Sequence, residues 1–535
     1  MTTSMHRPEP TPTAAAHGLP AAGWLTLALS ATMAALWSSH KLLSQDEIFS
    51  LQTDRVHTLA EVIRIQRLYP ISLEPPPYHV LAHAAIRLFG PTAFALRLPA
   101  FLGYLLMQLC LYFFVRNLVG SNRSPILARR AGLIAMAFPA LTWTLFYAGE
   151  GRPYGLLLGS YALCALCWQY AARRRPVFAP AARTLPLLGL AASLALTLTV
   201  HFYGVLVLIP LCGAELLRTL ARRRLDLPML AALAAGMAAL AFALPYVRAS
   251  AVFKQHYYAG PVSPHMLTQP YRQMLVNYTA FPHAMQIAIL IALLLATLLV
   301  VRSAAQVILR DQLAATPPEL FLILLLVALP VFAFLLGRFV THALEVRHSI
   351  GAILGITALV AIALLPALRS RTSFRALFVL MLVGIVAINT VRTRAAAAAS
   401  RSQLATDTLT PAEQAAIAAL PDQHLYFQNL GQWEAASLYT PDPALRSRLT
   451  LVYSLDEEMQ HQQHDTMYLT ATHTQHFSPQ PIVAYSAVRS SPGDHLFVLY
   501  HSGWDWTDAA FTTEADHLTP LGPAFGGTLT LVHFR

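Results

Sequence analysis

The chain has 535 residues, of which 56% are hydrophobic and only 12% are charged, a balance too apolar for a water-soluble enzyme. It reads as a polytopic membrane protein. Its formal charge of +11 is almost all arginine, since Lys41 and Lys254 are the only lysines; in such a chain basic residues report which loops stay in the cytoplasm, so the excess is not a nucleic-acid signal.

In chain order, Met1 to Pro20 is a polar, Pro/Ala-rich stretch expected to be a disordered cytoplasmic tail. Crossing the hydrocarbon takes roughly 17 to 25 apolar residues. Eleven segments qualify, at about 21–40, 94–115, 131–147, 154–171, 185–201, 203–217, 228–247, 283–301, 319–337, 348–367 and 374–391. The fifth and sixth are one long run divided at His201-Phe202-Tyr203-Gly204. A cleaved signal peptide is the other reading of the first segment, but no A-x-A-like site follows it.

Alternate loops carry the arginines: Arg116, Arg123, Arg129 and Arg130; then Arg173, Arg174, Arg175 and Arg183; then Arg218 and Arg222 to Arg224; then Arg302 and Arg310; then Arg369, Arg371 and Arg375. These loops are expected in the cytoplasm. The N-terminus is then inside, while Ser44-Gln45-Asp46-Glu47 and everything beyond Thr393 lie outside. The expected location is a bacterial inner membrane.

The first outer loop, Lys41 to about Thr92, holds two amphipathic stretches, Arg55 to Tyr69 and Tyr78 to Phe89. In the second, Tyr78, Leu81, Ala82, Ala85 and Phe89 share one helical face and His79, His83 and Arg87 another. Such helices lie in the membrane interface. Another outer segment, Arg248 to Pro282, reads as an irregular aromatic loop with Tyr257, Tyr258, Gly260 and Pro261. Cys110, Cys164, Cys167 and Cys212 all fall in apolar runs, so the CxxC pair reads as small buried thiols rather than a redox or metal motif.

From about Ala395 the composition becomes that of a soluble domain. Thr410-Pro411-Ala412-Glu413 is a capping box that opens a helix to Leu420, and Ser454 to Glu457 is a second candidate. Strand-like runs occur at His424–Gln428, Leu449–Ser454, Met467–Ala471, Ile482–Val488, Leu496–Tyr500 and Thr528–Phe534. The expected fold is an all-α membrane domain over residues 21–394 followed by a small soluble α/β domain over 395–535.

Asp46 and Glu47, just beyond the first span, have two readings: a helix cap or topology marker, or the rim of a site. Glu74, His83 and Arg97 follow in the same region, and carboxylates and arginines at a bilayer-facing rim suit a substrate with a lipid tail and an anionic head group. Glu74, His79 and His83 could also hold a divalent cation, the two histidines having i, i+4 spacing; the plainer reading is two interfacial histidines facing water. His461 and His464, near Asp456 and Glu457, read as a helix surface.

The segment Leu73 to Leu106, LEPPPYHVLAHAAIRLFGPTAFALRLPAFLGYLL, resembles the x-P-P segment and F-A-L-R-L-P signature of the C-type glycosyltransferase superfamily. The branch is that of bacterial protein O-mannosyltransferases and aminoarabinose transferases. SQDE after the first span, GEGRPYGLLL (Gly149 to Leu158) and LEVRHSIGAILG (Leu344 to Gly355) are similar to further pieces of the pattern. The resemblance implies an integral-membrane enzyme that transfers a sugar from a polyprenyl-phosphate carrier to an extracytoplasmic glycan, lipid or protein acceptor. It implies Asp46 as the base for the acceptor hydroxyl, with Glu47 assisting it or orienting the acceptor, and Arg347 and Arg152 as ligands of the departing phosphate. Each arginine has a local alternative, Arg152 pairing with Glu150 and Arg347 with Glu345. Glu74, His83, Glu150, Tyr154, His201, Tyr203 and His348 are expected around the substrate cavity. The chain departs from its relatives where three prolines follow Glu74, and where Tyr154 replaces an aspartate. A transporter or flippase of lipid-linked sugars is the alternative, but no internal repeat is visible, and the ionisable residues crowd the outer rim rather than the midplane. In the soluble domain, Trp433, Trp504 and Trp506 could stack on an acceptor sugar, though residues of this kind more often pack a core.

Overall fold

A computed structural model describes residues 18–120, 124–173, 180–256, 258, 262–277, 282–420, 423–500, 505–514 and 517–534. The tail to residue 17, Arg123, Arg174, Arg175, Tyr257, Gly260, Pro261 and Trp504 lie outside them. Among the described residues eight helices are long and apolar enough to cross a membrane, or nine when Pro317–Val327 and Leu329–Thr341 are joined across a bend of 51°. Pro330 accounts for that bend, since proline withholds a backbone donor and crowds the preceding turn.

The chain opens with α1 (Ala21–His40), α2 (Gln45–Asp54), α3 (Leu59–Leu68), α4 (Pro77–Phe89), α5 (Ala93–Val119), α6 (Pro125–Leu141) and α7 (Tyr154–Arg173). The third expected span is α6, 17 residues long and continued by a 3-10 turn over Trp143–Ala148. The tenth is shorter still, Ala352–Ala363 with a separate turn at Leu365–Leu368. The fifth and sixth are divided at His201, whose backbone is extended (φ −158°) and whose Nδ1 accepts from the Tyr203 amide. Helix His283–Leu309 has only Ala304 and Val307 buried, so the rest of its apolar surface is left for lipid.

A close contact between two helices sets the site's geometry. On α7 the glycines of Gly155-Leu-Leu-Leu-Gly159 lie against α5. A Cβ on Gly155 would sit 2.2 Å from the Ala100 carbonyl oxygen, and one on Gly159 would sit 2.3 Å from that of Gly103. Small residues four apart let the two backbones meet, as in membrane helix pairs generally. The N-terminal part of α5, with Arg97, is thereby locked beside the loop that leads into α7, with Glu150, Gly151 and Arg152.

The composition change near Ala395 falls inside one helix, since Arg371–Asp407 runs unbroken for 37 residues. The C-terminal region then forms a six-stranded sheet from β1 (Leu425–Phe427), β2 (Leu449–Tyr453), β3 (Ile482–Ala484), β4 (Gly493–Leu499), β5 (His517–Ala524) and β6 (Gly527–Phe534), in the order β3-β2-β1-β4-β6-β5. The first four are parallel, and β6 runs antiparallel to both its neighbours. Two expectations change here. Met467–Ala471 is not a strand but part of helix Thr466–Thr474, because the Glu458 carboxylate accepts from the Met467 and Tyr468 amides (2.8 and 2.6 Å) and so anchors the helix N-terminus. The Ile482 strand stops at Ala484, where helix Tyr485–Arg489 begins. Thr410 and Glu413 do form the expected capping box. Trp433 and Trp506 are core residues, 0% and 2% exposed.

Candidate functional site

Ser44 and Glu47 form the capping box of α2, the Glu47 carboxylate accepting from the Ser44 amide at 2.9 Å. This divides the labour of the acidic pair. Glu47 is fully buried. Its two oxygens take a bidentate grip from Arg97 at 2.7 and 3.0 Å, an ion pair from Lys41 at 2.9 Å, and the Gly151 amide at 2.6 Å. Burial pushes its pKa up, but Arg97 and Lys41 outweigh burial and hold it well below the usual carboxylate range. Glu47 therefore joins α2, α5 and the loop before α7, and has no oxygen free to assist a neighbouring carboxylate. Arg97 also donates to carbonyls at the end of α1, including Ser38 at 2.5 Å and Leu42 at 3.1 Å.

Asp46, one residue earlier, points the other way and is a third exposed. Its Oδ2 lies 2.7 Å from Arg347 Nη1 and 4.0 Å from Arg152 Nη2. Burial acts to raise its pKa, yet Arg152 and Arg347 lower it overall, so Asp46 stays ionised throughout the neutral range. Arg347 also pairs with Glu345 at 2.8 Å, as its local alternative anticipated. Arg152 does not pair with the Glu150 carboxylate. It reaches Glu74 at 2.6 Å and the Ser72 carbonyl at 3.2 Å.

Behind Arg152 a chain of buried polar groups continues inward. Glu74 is 3.7 Å from His79 Nε2, and His79 Nδ1 is 2.8 Å from Asp54 Oδ1 at the end of α2. His83 Nδ1 meets the Asp54 carbonyl at 2.8 Å. Both histidines are buried, which corrects the expectation that they face water: α2 and α3 pack over the polar face of α4, while Leu81, Leu88 and Phe89 remain exposed. Among the described residues no three His, Cys, Asp or Glu side chains converge as metal ligands; Glu74 and Asp54 bracket His79 instead, and His83 is turned to a backbone carbonyl. In the soluble domain His464 is buried against Glu458 at 2.9 Å, not on a helix surface.

His348 stacks on Tyr203 with ring centroids 3.9 Å apart, and His201 lies between Tyr154 and His348. Burial first, then the charges of Arg152 and Arg347, lowers the pKa of His201. Aromatic rings thus form one wall beside Arg347, whose guanidinium lies 5.7 Å from the Tyr154 ring centre.

Glu150 is buried with Oε2 unpartnered among the described residues. Burial drives its pKa up to about 7, with Lys41 countering and Glu47 adding to the rise. The native state therefore binds this proton more tightly than the unfolded chain does. The resulting stability is complete below the ordinary carboxylate pKa and is lost as pH rises through about 7. Thermal unfolding of purified protein is expected to show a lower Tm at pH 8 than at pH 5, with the difference reduced in Glu150→Gln.

Two groups escaped the sequence. Arg97 was noticed only by position; its partners lie more than forty residues away along the chain. Glu434, on helix Leu430–Tyr439 of the C-terminal region, is fully buried with both oxygens unpartnered. Burial, and then the charge of Asp46, push its pKa well above the ordinary carboxylate value. Its helix packs on α2, where Gly431 abuts the Gln45 side chain, and nothing in a lone glutamate within a soluble helix signals that placement.

No protein-family model and no curated protein sequence matches the chain. Solved structures do. ArnT from Cupriavidus metallidurans in the apo state superposes with a TM-score of 0.60 at 13% identity, covering 96% of this chain and 98% of that one. The same protein bound to undecaprenyl phosphate gives 0.59 at 14% identity with the same coverage. The chain therefore shares the fold of ArnT over 96% of its length.

Proposed function

We propose that the protein is an integral-membrane glycosyltransferase that moves a sugar from a polyprenyl-phosphate carrier to an acceptor outside the cytoplasm. The observation that carries this reading is the Asp46 carboxylate, ionised, partly exposed and held 2.7 Å from Arg347 at the start of α2. ArnT, whose fold the chain shares, has been crystallised with undecaprenyl phosphate, and the arginines here suit the phosphate of such a carrier.

In the reaction, the acceptor hydroxyl oxygen forms a bond to the anomeric carbon while the bond from that carbon to the phosphate oxygen breaks. The hydroxyl proton passes to Asp46, and the electron pair leaves with the lipid phosphate. Arg347 and Arg152 stabilise the charge that develops on that phosphate. Asp46 is the counter-ion of Arg347, so a donor phosphate competes for the guanidinium and frees the carboxylate to accept a proton. Base and leaving group on opposite faces of the sugar give inversion. On this reading α2 and the C-terminal region lie on the outer side and the N-terminus inside, the orientation that the arginine distribution favours.

The test is to supply membranes containing the protein with a panel of radiolabelled polyprenyl-phosphate sugars. Transfer of label from one of them to extracted lipid, glycan or protein supports the reading. Movement of intact labelled carrier across sealed vesicles without transfer would refute it in favour of a flippase.

A further inference from the structure

A cavity of about 640 Å³ lies away from Asp46, between α2, α3 and the C-terminal region. Its size falls in the range of pockets that hold a whole small molecule, ~300–1,000 Å³, rather than a single ion. Arg55 at the end of α2, Arg64 on α3, and Arg446 on helix Pro443–Arg448 line it, with Glu61 as the one carboxylate. That carboxylate is engaged locally, its Oε2 accepting from the Thr58 amide at 3.0 Å and hydroxyl at 3.2 Å as the cap of α3. Among the described residues none of the three arginines pairs with a carboxylate. Arg446 is instead held in place by the Thr440 carbonyl, at 3.1 Å from Nε and 2.6 Å from Nη2.

Like charges gathered in one groove repel unless an anion sits among them. Burial and then the charge of Arg446 lower the pKa of Arg55, as expected where two guanidiniums face one space. A planar fork of donors matches phosphate oxygens. Next to the arginines is a flat aromatic platform: Tyr69 stacks on His476 with centroids 3.8 Å apart, and Arg64 lies 5.9 Å from the Tyr69 ring centre. Such faces suit the apolar side of a sugar ring.

We infer that this groove is a binding site for a phosphorylated saccharide, built jointly by the first outer loop and the C-terminal region. On the transferase reading above, on which the use of the site rests, this is where an anionic acceptor docks before its hydroxyl reaches Asp46. The C-terminal region then selects the acceptor by its charge.

The test uses the full chain in nanodiscs of neutral lipid, without donor, so that its outcome is independent of whether transfer occurs. Binding is measured for a mannose 6-phosphate-terminated trisaccharide, the same trisaccharide after phosphatase treatment, and inorganic phosphate. At least a tenfold preference for the phosphorylated trisaccharide over both others is expected. That preference should weaken with salt and vanish in Arg55→Gln/Arg64→Gln, whose side chains form no hydrogen bond or ion pair among the described residues, Arg64 touching only the Tyr69 ring of the platform itself. Equal affinity for the two trisaccharides, or an unchanged preference in the double variant, would overturn the inference. Inorganic phosphate competing as well as the phosphorylated sugar would overturn the saccharide part. A fourth arm, nanodiscs containing phosphatidylglycerol, identifies a lipid head group as occupant, and the inference fails if those lipids displace the trisaccharide completely.

Discussion

Replacing Asp46 with asparagine is expected to lower the rate of label transfer by about 10²- to 10⁴-fold, the usual worth of a positioned general base. The amount and Tm of the protein should stay close to wild type. Asparagine keeps the size and helix position of the side chain and removes only the charge that meets Arg347 and Arg152. Asp46 takes no part in the cap of α2, which is formed by Ser44 and Glu47, and its carboxylate is a third exposed. A transfer rate within a factor of two of wild type would remove Asp46 from the reaction. Because burial and the two arginines together leave the Asp46 pKa lowered, its own titration should not limit activity between pH 6 and 8.

The second large effect concerns folding rather than rate. Arg97→Met is expected to cost about 3–5 kcal/mol, the range for stranding one member of a buried ion pair, and to reduce the yield of monodisperse protein sharply. The Glu47 carboxylate would keep Lys41 but lose its bidentate partner, and the carbonyls of Ser38, Lys41 and Leu42 would lose their common donor. Arg97→Lys should recover only part of the loss, because an ammonium cannot offer two parallel donors to one carboxylate. Thermal unfolding in detergent ranks the three proteins. A wild-type Tm in Arg97→Met would mean that Glu47 is held by Lys41 and Gly151 alone.

What the sequence discloses, and what it hides, follows from how far apart the interacting residues are. Apolar runs, the His201 break and the Thr410 cap are local signals, legible because periodicity and capping chemistry act over a few residues. Within Asp46-Glu47, the two rival readings each belong to one residue: Glu47 is the cap, and Asp46 faces the arginines. Adjacent side chains on a helix point about 100° apart, which no composition argument resolves. Arg152 pairs with Glu74 rather than nearby Glu150, and Arg347 reaches Asp46 across 301 positions of chain; such pairings exist only once the helices pack. The edge strand β5 was missed for a different reason. His517–Ala524 contains Pro520, Gly522 and Pro523, residues that argue against a central strand but are tolerated at a sheet edge. Met467–Ala471 misled in the opposite direction, its β-forming residues overruled by the Glu458 cap.

Helix Arg371–Asp407 has one more implication. At 1.5 Å per residue its 37 residues extend about 55 Å, while the hydrocarbon accounts for ~30 Å. The excess is a stiff stalk without a glycine or proline beyond Gly384 at which to flex. Gln45 and Gly431 therefore meet at a fixed angular phase of that stalk. Each residue inserted into it or removed from it would turn the distal part by about 100°, so the length of the stalk is itself part of the address that brings Glu434 beside α2.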